Sequence, residues 1–96
     1  LTTYDLRFLP SALKEWRALD PTVQRQFKAK LRQRLQRPQV SGSRLRAMPD
    51  CYKIKLAPLG YRLVYRVDET AVIVLVVAVG KRENRATCRT ARRRVQ

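Results

Sequence analysis

The run CYKIKLAPLGYRLVYR, residues 51–66, restricts the fold more than any other part of the chain. On either side of a short Ala-Pro-Leu-Gly segment (57–60), apolar or aromatic residues alternate with lysine or arginine. Alternation with a period of two marks a strand that puts one face into a core and the other outside it. Proline and glycine in the intervening segment suit a type I or II turn, so the run is predicted to be a β-hairpin. Pairing Leu56 with Tyr61 sets Ile54 opposite Leu63 and Tyr52 opposite Tyr65, all on one face. The other face then carries Lys53 and Lys55 from one strand and Arg62 and Arg66 from the next, open to water or to a ligand.

The rest of the chain supplies neighbours for this hairpin. AVIVLVVAVG (71–80) follows a turn at Asp-Glu-Thr (68–70) and is apolar on both faces, as expected of a central strand. TYDLRFL (3–9) alternates weakly and reads as another strand. After Pro10 and Ser11, Leu9, Ala12, Leu13, Trp16 and Leu19 recur at helical spacing. Asp20-Pro21 is a helix start, with the carboxylate as N-cap and proline where a missing N–H costs nothing. The helix that follows is predicted to bury Val23, Phe27, Leu31 and Leu35 and to end at Pro38. Residues 39–50 read as a loop, and 83–95 as a short C-terminal helix with a weak apolar face. The order is β-α-α-β-β-β-α. It predicts an α+β fold: a small, mostly antiparallel sheet with two N-terminal helices on one face, forming a single domain over 1–96.

Charge narrows the partners. The chain has 22 Lys and Arg against 7 Asp and Glu, a formal charge of +15 on 96 residues. Such a body attracts polyanions over about 10 Å at 0.1 M salt, which points to nucleic acid, an anionic membrane surface or an acidic protein. The longest apolar run (71–79) is far short of the roughly 20 residues a membrane helix needs. The N-terminal stretch has no long apolar run and so does not read as a signal peptide. A soluble, cytoplasmic protein is expected. Cys51 and Cys88 are far apart and there is no histidine, so neither a metal site nor a cofactor is expected.

Solubilising surfaces mix both signs of charge, whereas residues 51–66 contain no acid at all. Like charges facing each other across strands oppose pairing, so a polyanionic ligand is the simpler account. RNA can be cut without a metal by driving its 2′-hydroxyl onto the neighbouring phosphorus. Guanidinium forks and ammonium groups suit the charge that builds on the equatorial oxygens. A lysine crowded by other cations can serve as a base, while arginine stays protonated. Arg82, just after the apolar strand, can reach the rim of the cationic face, and Arg44 and Arg46 in the preceding loop can flank it. Charge alone does not separate cleavage from simple RNA binding.

The stretch LRAMPDCYKIKLAPLGYRLVYRV (45–67), with VGKRE (79–83) and ALKEWRAL (12–19), resembles the RelE family of bacterial type II toxin–antitoxin systems. The resemblance runs in order over nearly the whole chain and implies a RelE-like fold. It also implies a ribosome-dependent endoribonuclease that cuts mRNA in the A site of the 70S ribosome by 2′-hydroxyl attack. The implied inhibitor is an acidic, RelB-like antitoxin, and the complex of the two would bind operator DNA through the antitoxin. Carried over, the catalytic cations are Lys53, Lys55, Arg62 and Arg82, and Arg46 matches a supporting arginine of the loop; together with Arg44, Arg66 and Lys81 it is expected to bind RNA. Cys88 stands where these toxins usually carry a catalytic tyrosine, which implies weakened cleavage more readily than a thiol mechanism. Two other functions stay in view: a ParE-like inhibitor of gyrase, and a non-catalytic basic RNA-binding protein.

Overall fold

The computed structural model describes residues 3–45, 48–81 and 86–95. Its elements follow the expected order: β1 (Asp5–Phe8), α1 (Pro10–Arg17), α2 (Pro21–Gln36), β2 (Cys51–Leu56), β3 (Tyr61–Asp68), β4 (Ile73–Lys81) and α3 (Ala86–Val95). Asp20 caps α2 by accepting a hydrogen bond from the Thr22 amide at 2.9 Å, and Pro21 occupies the first turn. The helix stops at Gln36, two residues before Pro38.

The four strands form one mixed sheet in the order β1-β4-β3-β2, with β1 parallel to β4 and the other pairs antiparallel. Between β2 and β3 the register is the expected one: Leu56, Ile54 and Tyr52 stand opposite Tyr61, Leu63 and Tyr65. The connection is a 3-10 turn over Ala57–Leu59 in place of the simple four-residue turn expected. Gly60 closes it at φ +70°, a left-handed conformation that glycine adopts without a side-chain clash. The apolar run 71–80 becomes β4, paired on both sides. A bulge matches Val64 with Ala78 but Tyr65 with Val76, so Val77 is an extra residue. Val74, Val76 and Val79 therefore face one side of the sheet, while Val77 and Ala78 face the other.

On the first side, α1 and α2 lay Ala12, Trp16, Val23, Phe27 and Leu31 over the inward residues of the sheet. Trp16 links Phe8 (ring centroids 5.5 Å apart) to Phe27 (6.2 Å), which joins β1 and both helices. Burying each large apolar side chain contributes about 1.5–3 kcal/mol, so this layer holds most of the apolar stabilisation.

The second side departs from expectation. It is not open along its whole length, because α3 covers its middle with a smaller cluster of Met48, Cys51, Val64, Val77, Ala78 and Ala91. The helix has a narrow apolar stripe but comes close. Ala91 is fully buried, and a Cβ on Gly80 would sit only 3.3 Å from Thr87 Oγ1. Arg94 ties the end of α3 to α1 through paired hydrogen bonds to Glu15 (2.9 and 3.1 Å) and also donates to the Val77 carbonyl (2.8 Å).

Candidate active site

The cationic residues of the hairpin lie on the side of the sheet that α3 covers. Lys55 stands directly opposite Arg62 across β2 and β3, and Lys53, one same-face step along β2, stands opposite Val64. Side chains two residues apart on a strand are separated by about 7 Å. Lys53, Lys55 and Arg62 therefore occupy one patch small enough to serve a single phosphodiester. Residues 51–67, which include all of β2 and most of β3, contain no Asp or Glu to neutralise it.

The three cations differ in burial. Lys55 is exposed, Lys53 is half-buried, and Arg62 is only 8% exposed beneath α3. Arg62 Nη1 donates to Cys88 Sγ at 3.4 Å, while its buried Nε has no acceptor among the described residues. An unmet buried donor costs roughly 1–3 kcal/mol, so an anionic oxygen within its reach would be bound favourably. Half-buried Cys88, on the inner side of α3, is thus in contact with the cation patch.

Other expected residues are less central. Arg66 lies four residues from Arg62 along β3, about 13 Å, at the far end of the same face. It stands opposite Cys51, whose thiol is pushed up by burial and drawn partly back by the Arg66 charge. Arg44 is exposed and forms an isolated bridge to Tyr52, so it sits at the outer edge of β2. Lys81 pairs with Tyr61, whose ring packs with the α1 and α2 core, so its register puts it on the opposite face from Lys55 and Arg62. At the edge of β4 it borders a cleft of about 260 Å³ between α1 and α3, lined also by Glu15, Thr87 and Thr90. Arg46 and Arg82 lie outside the described residues.

Sequence reasoning missed the support beneath the patch. Arg34, in the last turn of α2, donates to Tyr65 Oη at 2.8 Å, Ser43 Oγ at 3.1 Å and the Lys53 carbonyl at 3.4 Å. Tyr65 donates in turn to the Pro38 carbonyl at 2.6 Å and stacks on Tyr52 with ring centroids 5.7 Å apart. Burial pushes the Tyr65 phenol up, and the Arg34 hydrogen bond opposes that shift. A signal existed: Arg34 follows Phe27 by seven residues and Leu31 by three, which puts it beside the buried stripe of α2. Glu15 and Arg94, 79 residues apart, left no such trace.

The patch offers fixed positive charge, a preorganised guanidinium and a neighbouring sulfur. That set suits stabilisation of a pentacoordinate phosphorus. Among the described residues, no three His, Cys, Asp or Glu side chains come together as a metal site would need. No helix among them is long and apolar enough to cross a membrane.

The sequence and the fold are similar to those of known proteins. A family model described as the ParE toxin of the type II toxin–antitoxin system, parDE, matches residues 6–86. The chain is 55% identical to the mRNA interferase toxin RelE of Escherichia coli K12 over 80 residues, covering 83% of this chain and 84% of that protein. Its fold is similar to the free-state structure of an E. coli RelE variant with two arginines replaced by alanine. That match has a TM-score of 0.91 and 47% identity over 99% of this chain and 100% of the other. It is also similar to a chain of the intact E. coli RelBE toxin–antitoxin complex, at TM-score 0.81 and 53% identity over 84% of this chain and 99% of that one.

Proposed function

This chain belongs to the RelE family of toxins from bacterial type II toxin–antitoxin systems, and from that premise we propose that it blocks translation as a ribosome-dependent endoribonuclease. It enters the A site of the 70S ribosome, contacts rRNA and cuts the mRNA held there. The 2′-hydroxyl oxygen bonds to the adjacent phosphorus as its proton leaves. The bond from phosphorus to the 5′-oxygen then breaks and that oxygen is protonated, leaving a 2′,3′-cyclic phosphate and a 5′-hydroxyl. In this reading Arg62 and Arg82 stabilise the phosphorane, Lys53 and Lys55 serve charge and proton transfer, and Arg44, Arg46, Arg66 and Lys81 bind RNA. No step requires a metal or cofactor.

The observation that carries the reading is Arg62: a guanidinium held nine-tenths buried beside Lys55, with its Nε lacking an acceptor. A donor fixed in that way lowers a barrier more than a mobile surface charge does, because little reorganisation is left for the reaction. Cys88, touching Arg62 where the family usually has tyrosine, gives no ring to stack on a base and so weakens cleavage.

The partner is an acidic, RelB-like antitoxin drawn by the +15 charge, and the pair binds operator DNA through the antitoxin. Residues 1–96 act as one toxin domain in the cytoplasm. To test the activity, purified protein is added to programmed 70S ribosomes and the RNA ends are mapped. Cuts at the A-site codon with cyclic phosphate ends are expected. Intact mRNA together with gyrase-dependent DNA breaks would instead favour the ParE-like function.

A further inference from the structure

We infer that Arg34 is a positioning residue for Lys53, acting through the β2 main chain from the opposite side of the sheet. This rests on the ribonuclease reading above and adds a residue that the family resemblance did not supply. β2 is an edge strand, hydrogen-bonded to β3 on one side only. The Cys51 carbonyl points outward from the sheet, where it accepts from the Leu45 amide at 2.9 Å. Backbone groups two residues apart on a strand point the same way, so the Lys53 carbonyl also faces outward. No strand among the described residues lies there to hold it. Arg34 Nη1 does so, at 3.4 Å.

The same guanidinium fixes two more segments. Nη1 also meets the hydroxyl of fully buried Tyr65 on β3, and Nη2 meets Ser43 in the loop that carries Arg44. Its charged carbon lies 5.9 Å from the Tyr65 ring centroid. Three acceptors on three separate segments match the rigid, multiply donating fork of arginine, which the single ammonium of lysine does not reproduce. None of these acceptors is a carboxylate, so the group is placed for its geometry and not to neutralise an acid. Fixing the Lys53 main chain fixes the root of a long side chain whose tip must meet one particular oxygen. A displacement of about 1 Å at a reacting group can cost 100-fold in rate.

The test uses Arg34→Met, which keeps the aliphatic stem and removes every donor, and Tyr65→Phe, which keeps the ring and removes one acceptor. Single-turnover cleavage of mRNA on programmed 70S ribosomes is measured against ribosome concentration. The side-chain and amide NMR signals of Lys53 are followed in the same proteins. Arg34→Met is expected to lower the saturating rate by roughly 10- to 100-fold, with half-saturation changed less than twofold and the Lys53 signals shifted. Tyr65→Phe should move the same quantities less, and it keeps the inference open to refutation should Arg34→Met not fold. Wild-type saturating rates in the folded variants overturn the inference. So does a loss confined to half-saturation, which would make Arg34 a ribosome contact. If wild-type protein itself leaves mRNA whole, the ribonuclease reading fails; unmoved Lys53 signals would refute the positioning contact independently.

Discussion

The two faces of the sheet are built on different terms. Against α1 and α2 lie rings and branched side chains: Trp16, Phe27, Leu31, Tyr65 and Leu63 fill one continuous core. Against α3 lie Val64, Val77, Ala78, Cys51 and Ala91, next to an arginine with an unmet donor. The first face is a platform whose stability comes from apolar area. The second gives up apolar area to cations, and its cover is held partly by an ion pair at the rim. Regions with few large buried groups open at lower free-energy cost than the core. The division of labour is therefore physical: one side supplies rigidity, and the other supplies charge under a thin lid.

That contrast is most easily broken on the platform. Phe27→Ala removes a fully buried ring at the meeting point of α2 and Trp16. It should destabilise the protein by about 3–5 kcal/mol in urea denaturation. A loss below about 1 kcal/mol would mean that the α1 and α2 layer is not the principal source of stability. On the other face, Arg62→Gln should leave the fold nearly intact yet slow mRNA cleavage roughly 100- to 1,000-fold, as removal of a preorganised donor does elsewhere. Because Nε is already unmet, the variant loses little native hydrogen bonding. Unfolding in place of slow turnover would show that Arg62 belongs to the structural side of the comparison.

The platform was far more legible in the sequence than the lid. Period-two alternation in 51–66 fixed which residues of β2 and β3 share a face, and Asp20-Pro21 fixed the start of α2. These signals are local, since each depends on neighbours within a turn or a hairpin. The seat of α3 was not legible because its apolar stripe is narrow and its closest contact depends on a missing side chain, Gly80 against Thr87. The Glu15–Arg94 pair joins distant elements, and no spacing rule reports such a contact. At the candidate site, the shared face of Lys53, Lys55 and Arg62 could be read from alternation, but the burial of Arg62 could not. Lys81 stands on the other face from Lys55 and Arg62 because the Val77 bulge changes the parity of β4, and a bulge of this kind leaves no mark in the alternation.

The lid itself can be sharpened at Cys88. Its sulfur is small and meets Arg62 at 3.4 Å, at the position for which the family resemblance implies a tyrosine. Cys88→Tyr should raise ribosome-stimulated cleavage about tenfold, since a phenol adds stacking and a stronger hydrogen-bonding group. An unchanged rate would mean that the thiol already does what is needed, and the idea of a weakened toxin would be wrong.

The smallest expected effect concerns how α3 stays seated. The Glu15 carboxylate accepts two bonds from Arg94 and one, at 3.3 Å, from the Val79 amide. Val79 lies on the part of β4 beyond the residues that pair with β1, so this side chain takes over a position a neighbouring strand would otherwise fill. Glu15→Gln keeps one oxygen acceptor but removes the charge. Both partners of the pair are partly exposed, at 34% for Glu15 and 22% for Arg94, so solvent screens much of their attraction. The change should therefore cost only about 0.5–1 kcal/mol. It should appear as faster amide exchange in α3, with protection in α2 and β3 unchanged. Equal loosening of all elements would show that the lid and the platform unfold together and that the two faces form one cooperative unit. Unaltered exchange in α3 would assign its seat to Ala91 and Thr87 packing instead of the ion pair.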